Sequence, residues 1–583
     1  MDGPAERKSE SRNRATNRIR FALERFILRG LGYRLLLAAA IVAGVALVAG
    51  ALVATLDPEL SEPGEAVWWA FLRLTDPGYL GDDVGIARRT ISTAVTVLGY
   101  VLFLGLLIAI LTQWLNQLIA RLESGVTPVA LSGHVIVLGW SQRTPTIVQE
   151  LLQTRKRVER FLARRGAREL RIVVLAERVD AALIADLRER LGALWNDRQV
   201  LLRSGSPLHL EHLKRVALQD AAVLILPGAD HAEHNPEAVD AQTVKTLMAI
   251  SKHASDAGIV PPLAVAEIFD GRKAAVGRRA YAGDCEILAT DEVIDRLIAQ
   301  SVRQRGLCGV FSELLTLNVG NAVYVRPLDA EAGAPFGHLR GAFPRAIPLG
   351  IVRSADGQPA LNADPDNILQ DDDLVVLLAR RFDDCAPQQT RPASFPISSA
   401  ATLPPALERR RRVMILGWSR KVPALLREFA RYGADAFEVD IVSTTPTSER
   451  EEALGCQAAA AASEHVRQIE ASYTLPGVLE RLEPRRYDNI VLLASERLAD
   501  EEKADATTVL AYLMLRGLLP REAPCPRVFV ELLEEENLFL FDSNREDVIV
   551  SPLVVSYLLS QVALRRELGS VFTELSRPCL LYT

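Results

Sequence analysis

The chain is poor in the patterns that carry chemistry. It has no Ser–His–Asp arrangement, no Walker loop and no HExxH pair, so enzymatic chemistry has no visible carrier. Its six cysteines (Cys285, Cys308, Cys385, Cys456, Cys525 and Cys579) show no CxxC pair and no framework spacing, as expected of reduced thiols in a reducing compartment. The net charge is −6, which leaves no bulk basic footprint for nucleic acid. Two stretches lack charge altogether. Leu35–Leu56 and Ile91–Leu115 contain no Asp, Glu, Lys or Arg, and each is about the length needed to cross a bilayer core as a helix. The first is too long for a signal-peptide core, and no small-residue cleavage site follows it.

Charge around these runs is asymmetric. Arg7, Lys8, Arg12, Arg14, Arg18, Arg20, Arg25, Arg29 and Arg34 precede the first span, whereas the intervening loop is mainly acidic. The positive-inside bias places the N-terminus in the cytoplasm and the loop outside, and the second span returns the chain to the cytoplasm. Residues 1–34 read as a basic leader near an anionic leaflet. Within the loop, Ala66–Leu74 (AVWWAFLRL) is apolar but too short to span, which makes it a candidate re-entrant helix within a pore loop over 64–82. Pro63 and Gly64 suit its start, and Asp76-Pro77-Gly78 breaks it.

Beyond the spans the chain repeats itself. Val135–Ser141 (VIVLGWS) returns as Val413–Ser419 (VMILGWS), Asp220–Gly228 as Asp488–Glu496, Pro262–Ile268 as Arg527–Leu532, and Val310–Leu314 (VFSEL) as Val571–Leu575 (VFTEL). Four matches in one order mark an internal duplication of a βαβ-type unit. In the first copy, 134–316, strands are expected at Val135–Leu138, Arg171–Leu175, Val200–Arg203, Val223–Leu226 and Leu263–Glu267, with a closing helix at Val293–Arg305. Val/Ile/Leu-rich runs separated by helical patterns predict a mostly parallel sheet. Residues 317–382 read as a small α+β subdomain with strands at Ala322–Arg326, Ile347–Val352 and Leu374–Leu378. A linker over 383–410, with five prolines in 384–408, leads to the second copy, 411–583. Asn116–Gly133 joins the second span to the first copy.

Candidate residues fall in two places. Asp76, beside Thr75 and Gly78, ends a membrane-depth helix, where ionisable groups usually line a pathway; repeated around an oligomer it would form a carboxylate ring that attracts cations. The bland alternative is a helix-ending Asp in an exposed loop, and Arg73 close by is placed to pair with an acid. The repeated turn invites a dinucleotide, but the fingerprint needs three glycines and only Gly139 and Gly417 are present, one per copy. Trp140 and Ser141 follow Gly139, Glu177 occupies the ribose-acid position, Arg203 ends the third strand, and Ser443 replaces the acid in the second copy. A Rossmann scaffold used for assembly, or for another ligand, is the favoured reading. His209 with His212, and His231 with His234, read as solvated residues rather than metal ligands, and Asp371–Asp373 as a turn before a strand.

Taken together, a span, a re-entrant helix, a second span and tandem Rossmann units resemble a pore subunit with RCK (regulator of conductance) domains. His134–Ser141 (HVIVLGWS), Val174–Glu177 (VLAE), Arg203–Pro207 (RSGSP), Phe343–Gly350 (FPRAIPLG) and Asn362–Leu377 (NADPDNILQDDDLVVL) are similar to the CASTOR/POLLUX family of plant symbiosis channels and their bacterial relatives, over about residues 64–580. Lacking the additional N-terminal segments of the plant members, the chain looks like a bacterial relative. The resemblance implies an α-helical pore module of two spans plus a re-entrant pore helix, followed by α/β tandem Rossmann-like RCK domains with an α+β subdomain after the first. It also implies a homotetrameric cation channel in the cell membrane with a cytosolic gating ring, and Ca2+ as a permeant or regulatory ion. Ca2+ and a nucleotide are the two ligands this leaves open at the ring. The family's pore-loop pattern, Ala-Asp-Ser-Gly-Asn-His, is here Thr75-Asp76-Pro77-Gly78-Tyr79-Leu80, which keeps the Asp and Gly and loses the Asn and His. The TVGYG filter of potassium channels is absent, so selection by stacked carbonyls has no support. The family's second C-terminal subdomain has no counterpart before the chain stops, which reads as truncation or a shortened ring. Gly99 and Gly105 are the candidate gating hinges of the second span. Two other readings stay open: a membrane-tethered NAD-dependent oxidoreductase, and a non-conducting regulator of a separate transporter.

Overall fold

The computed structural model describes residues 31–577 except 57–59, 61, 77–82, 154, 164–168, 231–235, 305, 317–319, 329–331, 355–356, 389–408, 433–434, 457–464, 496–500, 521–524 and 542–546. It divides into an N-terminal unit, Met1–Glu123, and a C-terminal unit, Ser124–Thr583. Residues 1–30 of the basic leader and most of the proline-rich linker lie outside the described residues, as do Gly78, His231 and His234, while the leader's last four residues already belong to the first helix.

Among its described residues the N-terminal unit has four α-helices: α1 (Leu31–Leu56), α2 (Pro63–Thr75), α3 (Ile86–Gly99) and α4 (Gly105–Glu123). Leu35–Leu56 and Arg88–Asn116 are long and apolar enough to cross a membrane. Pro63 opens α2 at a position where a missing N–H costs nothing. Ala66, Trp69, Ala70, Arg73 and Leu74 then recur at helical spacing and form its buried stripe. That stripe packs on Val42, Ala46, Ala49 and Val53 of α1 and on Val95 of α3. The backbones approach closely at two glycines: a Cβ on Gly50 would lie 2.6 Å from the Val67 Cα, and one on Gly99 only 2.4 Å from the Leu74 carbonyl oxygen.

Between α3 and α4 the helix loosens into one π turn, Tyr100–Leu104, flanked by the two glycines singled out above. The Gly105 amide reaches back to the Tyr100 carbonyl. Such turns are single-turn departures from α geometry, frequent at functional sites. Helix α4 continues through Glu123, so the first half of the expected connector is helical. Leu118 and Ile119 extend the apolar pattern past Asn116 with nothing to stop the helix.

In the C-terminal unit a six-stranded parallel sheet runs β3-β2-β1-β4-β5-β6. Its strands are β1 (Val135–Leu138), β2 (Ile172–Ala176), β3 (Val200–Ser204), β4 (Val223–Leu226), β5 (Leu263–Ile268) and β6 (Cys285–Ala289). Alternation sends Val135 and Val137 to one core and Ile136 and Leu138 to the other, so both faces are covered. The sixth strand, missed in the sequence, is a short edge run (CEILA) carrying a charge. Helix α5 (Arg143–Gln153) follows β1; α6 (Thr290–Arg303) and α7 (Leu307–Leu315) close this copy, three residues earlier than the helix expected at Val293 and broken at Gly306. The subdomain is an antiparallel sheet, β7 (Ala322–Pro327), β8 (Ile347–Val352), β9 (Pro359–Leu361) and β10 (Leu374–Ala379), in the order β7-β10-β8-β9.

The second copy repeats the first. Its strands β11 (Arg409–Leu416), β12 (Asp435–Ser443), β13 (Val466–Glu470), β14 (Asn489–Leu492), β15 (Arg527–Leu532) and β16 (Asp547–Val550) run β13-β12-β11-β14-β15-β16, again all parallel. Helix α8 (Val422–Ala430) follows β11, and α9 (Ser551–Leu564) with α10 (Leu568–Leu575) ends the copy. The copies exchange helices: α6 packs on α8, and α9 packs on α5. One hydrophobic core therefore contains residues of both sheets, from Val137 and Ile298 to Leu425 and Val555.

The two glycines beside the π turn differ in what a side chain would meet. Gly99→Ala forces overlap with α2 and should lower the melting temperature of the detergent-purified protein, at a cost of about 1–3 kcal/mol. Gly105→Ala meets only the Tyr100 carbonyl oxygen, at 3.9 Å, and should be neutral or gain up to ~1 kcal/mol of helix propensity. Equal losses in both variants would contradict this packing.

Candidate functional site

Two places collect polar groups where the fold needs none for packing. The first is the C-terminal end of α2. The Thr75 hydroxyl bonds back to the Phe71 carbonyl at 2.9 Å, and the Asp76 amide closes the helix on the Leu72 carbonyl at 2.6 Å. Asp76 then leaves the helix in extended conformation with an exposed side chain. A helix C-terminus carries partial negative charge, and a carboxylate placed there adds to it, so this end attracts cations. Arg73, one turn earlier, is buried on Asp83.

The second place is the duplicated turn. Gly139 and Gly417 adopt φ of +115° and +108°, a region that favours glycine, and this explains the one glycine each copy retains. Gly139 and Glu177 follow β1 and β2 at the C-terminal edge of the sheet, where open α/β folds bind ligands. The groups that a phosphate would need are already engaged. The Gln142 amide donates to both carboxylate oxygens of Asp230, each at 3.1 Å. Buried Arg143 donates to the Gly228 carbonyl at 2.9 Å and lies 3.7 Å from Glu267. Glu267 in turn accepts from the Gly228 amide at 2.7 Å and from the Thr290 hydroxyl at 2.8 Å. The second copy has the same lock: buried Lys421 donates to Glu531, which also accepts from the Ser551 hydroxyl. A basic side chain closes each turn onto its own sheet.

The next residue outward grips the other copy. Arg420 makes a two-pronged contact with Asp291 at the start of α6, at 2.9 and 3.0 Å, and stacks 4.4 Å above the Phe269 ring. Gln142, at the matching position, bonds through its side chain to Glu534 beyond β15. A cavity of about 350 Å3 opens there, with Gln142, Arg190, Glu534, Glu535, Glu536 and Ser556 in its wall. Burial raises Glu534 and Glu535 above the ordinary carboxylate value. Burial, and then the nearby Asp230 charge, pushes Glu501 up to about 7.

Of the remaining sequence candidates, Trp140 packs half-buried against the shared core, and Ser141 is buried with its amide on the Thr144 hydroxyl at 3.0 Å. Glu177 is exposed. Arg203 is half-buried on β3, donates to the Leu202 carbonyl, and is held below its usual pKa by burial and then by Arg215. His212 accepts from the Ser206 amide at 3.0 Å, so it serves a turn. Asp373 is buried on Arg353 at 2.7 Å, fastening the turn before β10. Among the described residues no group of three or more His, Cys, Asp or Glu is placed to hold a metal ion. Residue-by-residue comparison of the two copies would have found the lock, because Arg143/Lys421, Glu267/Glu531 and Thr290/Ser551 occupy matching positions.

One group breaks the symmetry. Asp295 on α6 is fully buried, and neither carboxylate oxygen receives a hydrogen bond; its counterpart on α9 is Ser556, bonded to the Pro552 carbonyl at 2.8 Å. Burial first, and the Asp291 charge second, hold the Asp295 carboxyl well above its ordinary 3.8, against the pull of Lys421. The unfolded chain releases this proton near 3.8 while the folded chain keeps it, so Asp295 takes stability away as pH rises above that value. Asp295→Ser should therefore raise the melting temperature by ~2–4 °C per ~1 kcal/mol gained. The gain should be larger near pH 8 than near pH 5, as thermal melts at both values will test; a gain independent of pH would contradict an unpaired acid at this interface.

Parts of the chain are similar to known proteins. Residues 291–394 match a family model described as Castor and Pollux, part of voltage-gated ion channel, and residues 130–261 match the calcium-activated potassium channel slowpoke-like RCK domain. The chain is 24% identical over 469 residues to the probable ion channel POLLUX of Arabidopsis thaliana, and 23% identical over 551 residues to the ion channel CASTOR of Lotus japonicus. These alignments take in 79% and 88% of this chain but only 54% and 62% of those relatives. In fold it is similar to the human SLO3 gating ring, with a TM-score of 0.54 at 14% identity, covering 76% of this chain and 84% of that one. From the repeated turn to the subdomain, the chain is similar to the CASTOR- and POLLUX-type ion channels.

Proposed function

We propose that this chain is one subunit of a homotetrameric cation channel gated by a ring of its C-terminal units. The observation that carries this reading is α2, a helix of 13 residues packed between two membrane-length helices and ending on exposed Asp76. Two spans and one short helix cannot enclose a pathway alone, but four copies arranged about an axis can. Four Asp76 carboxylates would then line its mouth, each at the negative end of a helix. The acidic loop lies outside, and the N-terminus and both Rossmann copies lie in the cytoplasm.

Gating follows from the exchanged helices. A ligand entering between the copies changes the angle at which α5 meets α9 and α8 meets α6. The chain from Ser124 to Gly133 passes that change to α4 and to the π turn between Gly99 and Gly105. Moving a two-state equilibrium from 1:99 to 99:1 takes about 5.5 kcal/mol of differential binding, or roughly 1.4 kcal/mol per subunit in a tetramer. A weak site is sufficient. The ligand is an ion or a small polar metabolite; the engaged amides and guanidinium at Gln142 and Arg143 argue against a dinucleotide in the Rossmann turn.

Purified protein in planar bilayers should carry cation current. Asp76→Asn should lower cation conductance and the preference for cations over anions by about tenfold, the scale of ~1.4 kcal/mol of lost attraction. No current from the wild-type protein, or an Asp76→Asn variant with unchanged conductance and selectivity, would overturn the pore assignment.

A further inference from the structure

Asp295, in the middle of α6, is an acid that neither packing nor the turn locks require. It is fully buried, and no donor reaches either carboxylate oxygen. The acids that face it are all provided for. Asp291, at the start of α6, is held by Arg420 from the turn before α8, at 2.9 and 3.0 Å. Glu428 on α8 accepts from Arg431 at 2.5 Å and lies 3.8 Å from Arg296. Glu531 on β15 accepts from Lys421 and from the Ser551 hydroxyl. These three acids and Lys421 are the charges that face Asp295. Two further elements pack on α6. The acid of α7, Glu313, accepts from the Asn321 amide at 2.9 Å, and in the short turn Gly271–Lys273 Arg272 pairs with Asp270 and Lys273 with Asp240.

The duplicated fold does not ask for an acid here. Ser556 holds the matching place on α9 and gives its hydroxyl to the Pro552 carbonyl at 2.8 Å. Glu150 on α5 and Glu428 on α8 also occupy matching places, and Ser551–Leu564 contains no acid. Of the two exchanged contacts, α6–α8 alone sets a buried acid of the closing helix against an acid of the helix it packs on. A buried polar group without a partner is rare in native proteins and calls for a reason. Ionised, Asp295 would be a desolvated charge beside three other acids; neutral, it carries no such penalty. A proton neutralises it without further ligands, and among the described residues no group of three or more His, Cys, Asp or Glu is placed to hold a metal ion instead.

We propose that Asp295 is a proton-binding regulatory site: the α6–α8 contact closes on the neutral carboxyl and loosens as the carboxyl ionises. In the channel proposed above, on which this last step rests, the proton is then a gating ligand, because α6–α8 is one of the two contacts through which the copies act on each other. The direction follows from linkage. In the closed contact, burial and then the Asp291 charge hold the carboxyl well above 3.8. In the loosened contact it is hydrated, returns toward 3.8 and releases its proton. Loosening therefore becomes easier as pH rises above 3.8, by up to ~tenfold per pH unit, and levels off once the carboxyl ionises in place.

The test is amide hydrogen exchange of the full-length, detergent-purified protein from about pH 5 to about pH 9, read over α6 and α8 and corrected for the intrinsic pH dependence of exchange. In the wild type the corrected exchange should rise by about tenfold or more across this range. Asp295→Asn and Asp295→Ser should remove that rise. If Asp295→Asn fails to fold, Asp295→Ser carries the test, since the second copy folds with Ser556 at this place. In planar bilayers the wild-type open probability should vary with cytosolic pH, and both variants should lose that variation. A corrected exchange that is flat in the wild type, or equally steep in the variants, overturns the proposal while the channel reading stands. So does a conducting wild type whose open probability ignores cytosolic pH. PH-dependent exchange that vanishes in the variants, with no wild-type current, supports the proton site and defeats the channel reading instead.

Discussion

Everything in the C-terminal unit depends on one exchange: the last long helix of each Rossmann copy is buried against the first helix of the other. Neither sheet can cover its own face. Val135 and Val137 of β1, and Val413 and Ile415 of β11, reach a single core that α6 and α9 close from opposite sides. Separating the copies would expose that core. The contact between them carries charge as well as apolar surface. Arg420 and Gln142 extend the repeated turns across the interface, and Asp295 sits unpaired within it.

The same turn illustrates how a binding fold becomes a mechanical one. In a dinucleotide site the turn after β1 keeps small residues and free amides, so that a pyrophosphate can approach the helix N-terminus. Here Asp230 supplies the anion and Arg143 supplies the bulk. The second copy achieves the closure with Lys421 and Glu531. Two versions of one lock, differing in side chain but not in position, point to a requirement for rigidity at the turn. What remains adjustable is the contact between copies.

Much of this was legible in the sequence. The charge-free runs, Pro63, Asp76 and the repeated heptapeptide located the helices and both sheets, because hydrophobic period and turn chemistry are local signals. The weak edge strands β6 and β9 were not legible, since three to five residues with a charge or a proline carry little pattern. Nor was the helical continuation to Glu123, where nothing punctuates the chain. In the site, the lone glycines and the missing fingerprint were readable. The partners Asp230, Glu267, Asp291 and Glu531 were not, because each lies 88 to 129 residues from the side chain it holds and only the folded sheet brings them together. Arg73 could be read as needing an acid, but its contact with Asp83 required the folded arrangement of α2 and α3.

The proposed function requires that four copies of the N-terminal unit make a cation pathway. The reversal potential of the reconstituted wild-type protein across a steep KCl gradient tests this. A potential close to the cation equilibrium value is expected. A potential at zero or on the anion side, or a membrane that stays silent with protein present, would contradict it.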